Sequence, residues 1–368
     1  MSNQLQNPQP LLSIIIPTLN EAELLPLLLE DIKQQQNISL EIIVGDGGSL
    51  DATRSVAEQY GAGFVTAGRG RGKQMNAAAE QASGDYLLFL HADSRIDCRS
   101  LLGDAVHALL SESTGQVRTA GHFPLRFMRS TENNAIGYRY VEEKSAFNRV
   151  DTTNGDQGLL LAKGFFRSLG GFDESMPFLE DQRIAAKIRS TGNWITLPGY
   201  LKTSARRFET EGFHRRYILM SMMMGLYSVG AEAFFVRAPG VYRQQQDAGT
   251  LLLSPFFSLI WRMMFDEWGG VGTLRIFYLL GRYIRQNSWQ MFFFIDVLSR
   301  SLLGAGRYPF LRFHDRIFWP CSNFKLFDAL TGAICFVWFM GVLSPFFWLV
   351  DNGERLVQKR SAGSGDRI

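Results

Sequence analysis

Cysteine is scarce. The 368 residues hold three, Cys98, Cys321 and Cys335, and no two share a CxxC spacing. Neither a disulfide framework nor a cysteine zinc site organises such a chain. Charge does not dominate either: charged residues are 20% and apolar residues 46%, which excludes a disordered or collagen-like polymer. Internal repeats and low-complexity tracts are lacking. No basic segment followed by an apolar run opens the chain, and residues 1–11 are polar and proline-rich, which argues against an export signal. Long apolar runs are absent with one exception. Ala329–Val350 carries no charge over 22 positions and is bracketed by Asp328 and Asp351. As a helix it is about 33 Å long, enough to cross a bilayer core.

The length suits roughly two domains and is ample to bury a core. The net charge of +3 conceals an asymmetry. Residues 1–200 carry 18 Lys/Arg and 23 Asp/Glu, whereas residues 201–368 carry 20 and 12. The second part also holds 32 of the 47 aromatic residues. A basic, aromatic-rich segment suits a membrane surface or nucleic acid. The nucleic-acid reading fails, because no recognition motif is present and these helical stretches are too apolar.

Residues 12–92 alternate short apolar runs with amphipathic stretches. Leu12–Ile16 precedes the helical stretch Glu21–Gln36, and Glu41–Val44 precedes Asp51–Tyr60. Gly63–Thr66 leads through a Gly-rich loop to Lys73–Ser83, and Tyr86–Leu90 closes the series. Strands alternating with helices predict a parallel sheet covered on both faces, with ligands beyond the C-terminal strand ends. Further on, Thr119–Phe127 and Leu159–Ala162 read as extended, and Thr131–Glu143 and Asp181–Ser190 as helical. From about residue 203 the chain turns into apolar, Met- and Phe-rich helices studded with arginine.

Chemistry-bearing residues follow the apolar runs. Asp46, before Gly47 and Gly48, suits a base or ribose partner; the alternative is a turn in which Asp46 caps the next helix. Arg69, Arg71 and Lys73 sit among glycines before a helix, a setting that favours phosphate; no GK[ST] follows, so this is not a Walker A loop. The alternative is a solvated basic turn. Asp93, at the end of Tyr86–Leu90, can hold a hard divalent cation on a diphosphate. His91 is a second ligand, a donor, or a strand-end residue with a structural role; for a lone histidine the structural role is the stronger expectation. Glu180 and Asp181 open a helix, either as macrodipole caps or with one as a general base. Arg206 and Arg207 suit a pyrophosphate leaving group or a plain basic surface.

Taken together and in order, LSIIIPTLNEAELLP, EIIVGDGGSLDAT, GRGKQMNAAAEQASGDYLLFLHADS, GDQGLLLAKGFFRSLGGFDE, FLEDQRIAAKIRSTG and SARRF resemble a family 2 glycosyltransferase of the GT-A fold, of the bacterial subgroup with an FLHADT-like motif. The resemblance covers about residues 11–240. It implies an α/β fold, a Rossmann-like, mostly parallel sheet with helices on both faces, followed by a C-terminal helical membrane-associated region. It implies that Pro17, Thr18, Asn20, Glu21, Asp46 and Gly47 line the nucleotide-sugar pocket, with Arg69 and Lys73 in the flanking loop. Asp93 matches the last carboxylate of the family's DxD and would hold Mg²⁺ or Mn²⁺, with His91 as a possible second ligand where relatives carry the first Asp. Asp181, beside Glu180, matches the general base, and Arg206 and Arg207 would face the leaving group. Phe208 stands where relatives often carry Trp.

The expected division is a flexible N-terminus at 1–10, a catalytic domain at 11–244, an amphipathic aromatic and basic region at 245–328, a hydrophobic membrane segment at 329–350 and a tail at 351–368. The stretch from Ser254-Pro255-Phe256-Phe257 to Gly269-Gly270-Val271-Gly272 resembles modules of glycosyltransferases that act on lipid-linked acceptors. The expected function is inverting transfer of a hexose-type sugar from a nucleotide-diphosphate donor to a membrane-associated glycolipid or saccharide hydroxyl. A polyprenyl-phosphate acceptor is the alternative within the enzyme class. A non-catalytic sugar-nucleotide-binding or scaffold protein is the alternative outside it. The expected partners are the donor, the acceptor and membrane lipids, with the catalytic domain cytoplasmic. Ser344-Pro345 is expected to kink the apolar segment, so that it re-enters or lies at the interface with both ends cytoplasmic; a single transmembrane crossing is the alternative.

Overall fold

The structure is a computed structural model that describes residues 11–113, 118–176, 178–243, 245 and 249–364. The expected flexible N-terminus, 1–10, and the end of the expected tail, 365–368, lie outside the described residues. The chain divides into two compact units, 1–205 and 206–368.

The first unit is built on nine strands: β1 (Leu11–Thr18), β2 (Ser39–Asp46), β3 (Gly63–Thr66), β4 (Tyr86–Phe89), β5 (Thr119–His122), β6 (Leu125–Met128), β7 (Leu159–Ala162), β8 (Asn193–Thr196) and β9 (Leu201–Ser204). Its helices are α1 (Leu25–Lys33), α2 (Thr53–Gln59), α3 (Arg71–Gln81), α4 (Leu101–Glu112), α5 (Ala135–Ser145), α6 (Lys163–Ser168) and α7 (Glu180–Thr191). Seven strands form one sheet in the order β3-β2-β1-β4-β7-β5-β8, and β6 and β9 form a second, parallel pair. β1 is buried from Leu12 to Thr18, as a central strand covered on both faces must be. Its alternate side chains feed two cores. Ile14 and Ile16 pack with Leu25, Leu28, Leu102 and Leu109 on one face. Ile15 packs with Met75, Ala78, Ile184 and Ile188 on the other.

The sheet is parallel except at β7, which runs antiparallel to both β4 and β5. The reason is the path of the chain. After β5 it stays at the ligand end of the sheet through β6, α5 and a 3₁₀ turn, Gly155–Gln157, then returns downward as β7. The expected single extended stretch Thr119–Phe127 is two strands in different sheets. Pro124 lies between them and cannot donate to a continuing ladder.

The second unit is helical: α8 (Arg206–Glu211), α9 (Phe213–Ser228), α10 (Glu232–Arg243), α11 (Ser254–Met263), α12 (Gly269–Gln286), α13 (Trp289–Leu298), α14 (Arg300–Leu303), α15 (Pro309–Phe313), α16 (Trp319–Ser322), α17 (Lys325–Phe336) and α18 (Ser344–Ser364). A π-helical segment, Val337–Leu343, joins α17 to α18. The helix therefore continues without interruption through Pro345. Proline lacks an N–H and crowds the preceding turn, and the wider π turn just before it accommodates both. Lys325–Glu354 is a 30-residue stretch long and apolar enough to cross a membrane.

One face of this long helix is packed within the unit. A Cβ on Gly281 of α12 would lie 2.2 Å from the Asp328 carbonyl oxygen and 2.4 Å from the Gly332 nitrogen, so the two backbones touch where only glycine fits. Beside this crossing Arg285 and Asp328 form a buried ion pair, with the guanidinium over Trp319. Trp261 Nε1 donates to Ser344 Oγ at 3.0 Å, and Arg215 pairs with the fully buried Asp351. The opposite face leaves Leu326, Leu330, Ile334, Val337, Trp338 and Leu349 more than half exposed.

Candidate active site

The loops after β1, β2 and β4 and the start of α7 meet at the C-terminal end of the parallel strands, where an α/β sheet binds its ligands. The β1–β2 register places Thr18 opposite Asp46. Thr18 Oγ1 donates to Asp46 Oδ1 at 3.1 Å, and the Gly48 and Ser49 amides each donate to Oδ2 at 2.8 Å. Burial works to raise this carboxyl, but the donations from Ser49, Gly48 and Thr18 outweigh it and hold Asp46 below the usual carboxylate range. Asp46 thus orders its own turn, while Asp51 caps α2 through the Thr53 amide at 3.0 Å.

The other residues expected around the nucleotide form a knitted rim. Asn20, in the left-handed region at φ 57°, receives the Leu50 amide at 2.8 Å and gives its own to Ser49 Oγ at 2.8 Å. The Glu21 amide bonds Thr53 Oγ1 at 2.9 Å. Pro17 and Gly47 are buried, and Gln74 Nε2 on α3 ties Thr18 O and Gly45 O together at 2.5 and 3.2 Å. Arg69 and Lys73 are exposed around the start of α3. Arg206 and Arg207 are exposed at the start of α8 and belong to the second unit, where Phe208 is buried against Phe213.

The acidic pair lies deeper. Glu180 is 2% exposed and Asp181 is half-buried. Leu179 before them is held in the left-handed region at φ 63°. Burial, and then the adjacent Glu180 carboxylate, push the Asp181 carboxyl up to about 6, with Arg71 and the Gln182 and Gly155 amides pulling the other way. A carboxyl raised toward neutrality in a cleft is the pattern of an acid–base residue.

His91 is engaged. Its Nδ1 lies 2.8 Å from Asp156 Oδ1. Burial disfavours the charged ring, but the Asp156 carboxylate outweighs that and raises its pKa above the ordinary value. A Cβ on Gly155 would lie 3.0 Å from His91 Nε2 and 3.6 Å from Asp181 Oδ2, so the 3₁₀ turn brings its bare backbone between these two side chains. Asp156 was not singled out from the sequence, although it stands in the GDQG run. Its reach to His91 depends on the downward path into β7.

Asp93 is half-buried at the end of β4 and acts electrostatically on His91. Among the described residues no group of three His, Cys, Asp or Glu could hold a metal. Asp93 would give Mg²⁺ or Mn²⁺ one carboxylate, and a bound diphosphate and water would complete the oxygen shell that such hard cations accept.

Residues 13–148 match the family described as glycosyl transferase family 2. That stretch, a little over a third of the chain, is similar to a family 2 glycosyltransferase domain. The chain is 36% identical over 94 residues to the PGL/p-HBAD biosynthesis glycosyltransferase of Mycobacterium bovis, covering 24% of this chain and 37% of that protein. It is 24% identical over 200 residues to the succinoglycan biosynthesis protein ExoA of Rhizobium meliloti, covering 50% of this chain and 60% of that one. Both matches span less than two thirds of the relative's length. Among solved structures it is similar to the mannosyltransferase PcManGT of Pyrobaculum calidifontis, solved with GDP-Man and Mn²⁺. That match has 17% identity and a TM-score of 0.44, covering 90% of this chain and 88% of that one.

Proposed function

We propose that this protein transfers a hexose-type sugar, with inversion, from a nucleotide-diphosphate donor to a hydroxyl of a membrane-associated glycolipid or saccharide. The observation that carries the reading is Asp181, a half-buried carboxyl raised to about 6 at the strand ends of a family 2 domain. Asp181 Oδ2 accepts the acceptor's proton as its oxygen attacks C1 from the face opposite the nucleotide. The rim from Pro17, Thr18, Asn20, Glu21, Asp46 and Gly47 seats the nucleoside, and Arg69 and Lys73 face its phosphates. Asp93 would hold a divalent cation, which would offset negative charge on the diphosphate. Arg206 and Arg207 are assigned to the leaving group on the resemblance. The relatives' names, which speak of PGL/p-HBAD and succinoglycan biosynthesis, support a lipid or saccharide acceptor.

The second unit provides the membrane contact. Its long helix exposes an apolar face, while the packed face carries Asp328, Ser344 and Asp351, tied to α12, α11 and α9. Crossing the bilayer would set Asp328 and Asp351 at opposite membrane faces, whereas their partners Arg285 and Arg215 tie the two ends of the helix to α12 and α9 of the same unit. The helix therefore lies in the interface with its apolar face down, as amphipathic anchors do, and both ends stay on the cytoplasmic side with the donor. A mass-spectrometric screen of nucleotide sugars against the full-length protein in bilayer discs, with Mn²⁺ and with glycolipid or polyprenyl-phosphate acceptors, tests the reading. Release of a nucleoside diphosphate with an inverted glycoside product is expected. Turnover of no donor with any acceptor would overturn it.

A further inference from the structure

Two adjacent carboxylates cannot both stay ionised in a confined site unless a cation compensates one of them. At the head of α7 that cation is Arg71, the first residue of α3. Its Nε lies 2.8 Å from Glu180 Oε1 and its Nη2 3.5 Å from Oε2, a two-pronged grip on a side chain that is almost wholly buried. The partners are 109 residues apart in sequence. Charged groups face Asp181 from several elements. Glu180 precedes it on its own helix, and Arg71 acts on it from α3. Asp156 stands on the 3₁₀ turn, already paired with His91 from the end of β4. Arg71 is the guanidinium in this set.

We propose that Arg71 is a positioning residue for proton transfer. Its grip cancels the charge of Glu180 and leaves Asp181 as the carboxylate that takes the acceptor's proton. This rests on the glycosyl-transfer reading and adds to it a role for a loop cation whose sequence setting suggested phosphate. The backbone agrees with a clamp. Leu179 is held left-handed immediately before Glu180, a conformation that persists only where neighbouring contacts over-determine it. The Arg71 grip on the next residue is such a contact. Lysine cannot reproduce it, since an ammonium lacks the planar fork.

The test compares full-length wild type, R71M, E180Q and R71M/E180Q. One readout does not depend on activity: carboxyl ¹³C chemical shifts of aspartate-labelled protein followed against pH, with Asp181 assigned by its loss in D181N. R71M should move the Asp181 titration up by about one pH unit or more, because Glu180 is left as an uncompensated neighbour. E180Q should move it down, and the double variant should lie below R71M. The acid limb of kcat should move with each titration. R71K should restore part of the R71M shift. An Asp181 titration unmoved in R71M overturns the proposal, as does a double variant that titrates like R71M. So does an R71M that raises KM for the donor with Asp181 unmoved, which would make Arg71 a phosphate ligand. If the titrations move as expected and wild type transfers no sugar, the electrostatic clamp stands and the glycosyl-transfer reading falls. Should R71M not fold, R71Q takes its place with the same expectations.

Discussion

Lowering the pH from 7 to 5 should silence transfer without loosening the fold. Asp181 sets this window, because burial and Glu180 push its carboxyl from an ordinary 3.8 up to about 6. A base must be ionised to accept a proton, so the competent fraction is about 90% at pH 7, about half at pH 6 and about 10% at pH 5. With saturating donor and acceptor, kcat followed by nucleotide release should fall about tenfold from pH 7 to 5, approaching tenfold per unit below the midpoint. The sign for stability is opposite. A carboxyl raised in the folded state favours folding when protonated, so its own contribution improves as the pH falls through about 6. Asp46, Asp51, Asp173 and Glu41 are lowered. Their contribution is present above the ordinary carboxylate range and is lost only as the pH falls through their lowered values, beneath this window. His122 is held down to about 4 by burial, so it stays neutral in the fold while the unfolded chain protonates below about 6.5; this term disfavours folding as the pH falls from 7 to 5 and opposes the gain at Asp181. His91 is raised above 6.5, so its pairing with Asp156 contributes fully below that value and is lost only as the pH rises through its folded pKa. Thermal melts at pH 7 and 5 should therefore differ little while kcat falls. A flat kcat over this range, or a loss of activity that tracks a loss of fold, refutes the reasoning.

Three further outcomes are expected. Asp328→Asn leaves the Arg285 guanidinium buried without its carboxylate and should destabilise the second unit by about 3–5 kcal/mol in a detergent-solubilised thermal melt; a change under about 1 kcal/mol would show that the pair is not buried in solution. Asp93→Ala should abolish turnover and weaken Mn²⁺-dependent nucleotide binding by calorimetry with the fold kept, and full activity in EDTA would remove the metal from the account. A reporter fused after Ile368 should read cytoplasmic, and an extracytoplasmic signal would show that the Lys325–Glu354 helix spans.

The four strands up to Phe89 were legible because strands buried on both faces read as continuous apolar runs, and ligand-bearing loops follow their C-terminal ends. Asp46, Asp93 and the Gly-rich loop follow from that rule, whereas Asp181 is read from the acidic pair at a helix start and from the resemblance. The rule fails once a strand runs the other way. β7 descends from the ligand end, so the chemistry of Gly155 and Asp156 comes before it rather than after, and the pairing of Asp156 with His91 stayed hidden. The Arg71–Glu180 grip joins two helix starts that no local pattern connects. In the second unit, Gly281 and Gly332 are unremarkable in sequence and become decisive only where two helix backbones touch. The sequence likewise carries no sign of the π turn that precedes Pro345.

The central claim is that Asp181 accepts the acceptor's proton. Asp181→Asn keeps the side chain's size and removes its basicity. Its kcat for transfer, measured with the donor and acceptor that the screen identifies and alongside donor affinity, is the direct measurement. The account predicts a loss of about a hundredfold or more in kcat with donor affinity little changed, the usual scale for removing a general base. Near-normal turnover in Asp181→Asn would contradict it, and with Glu180→Gln inactive would place the base at Glu180.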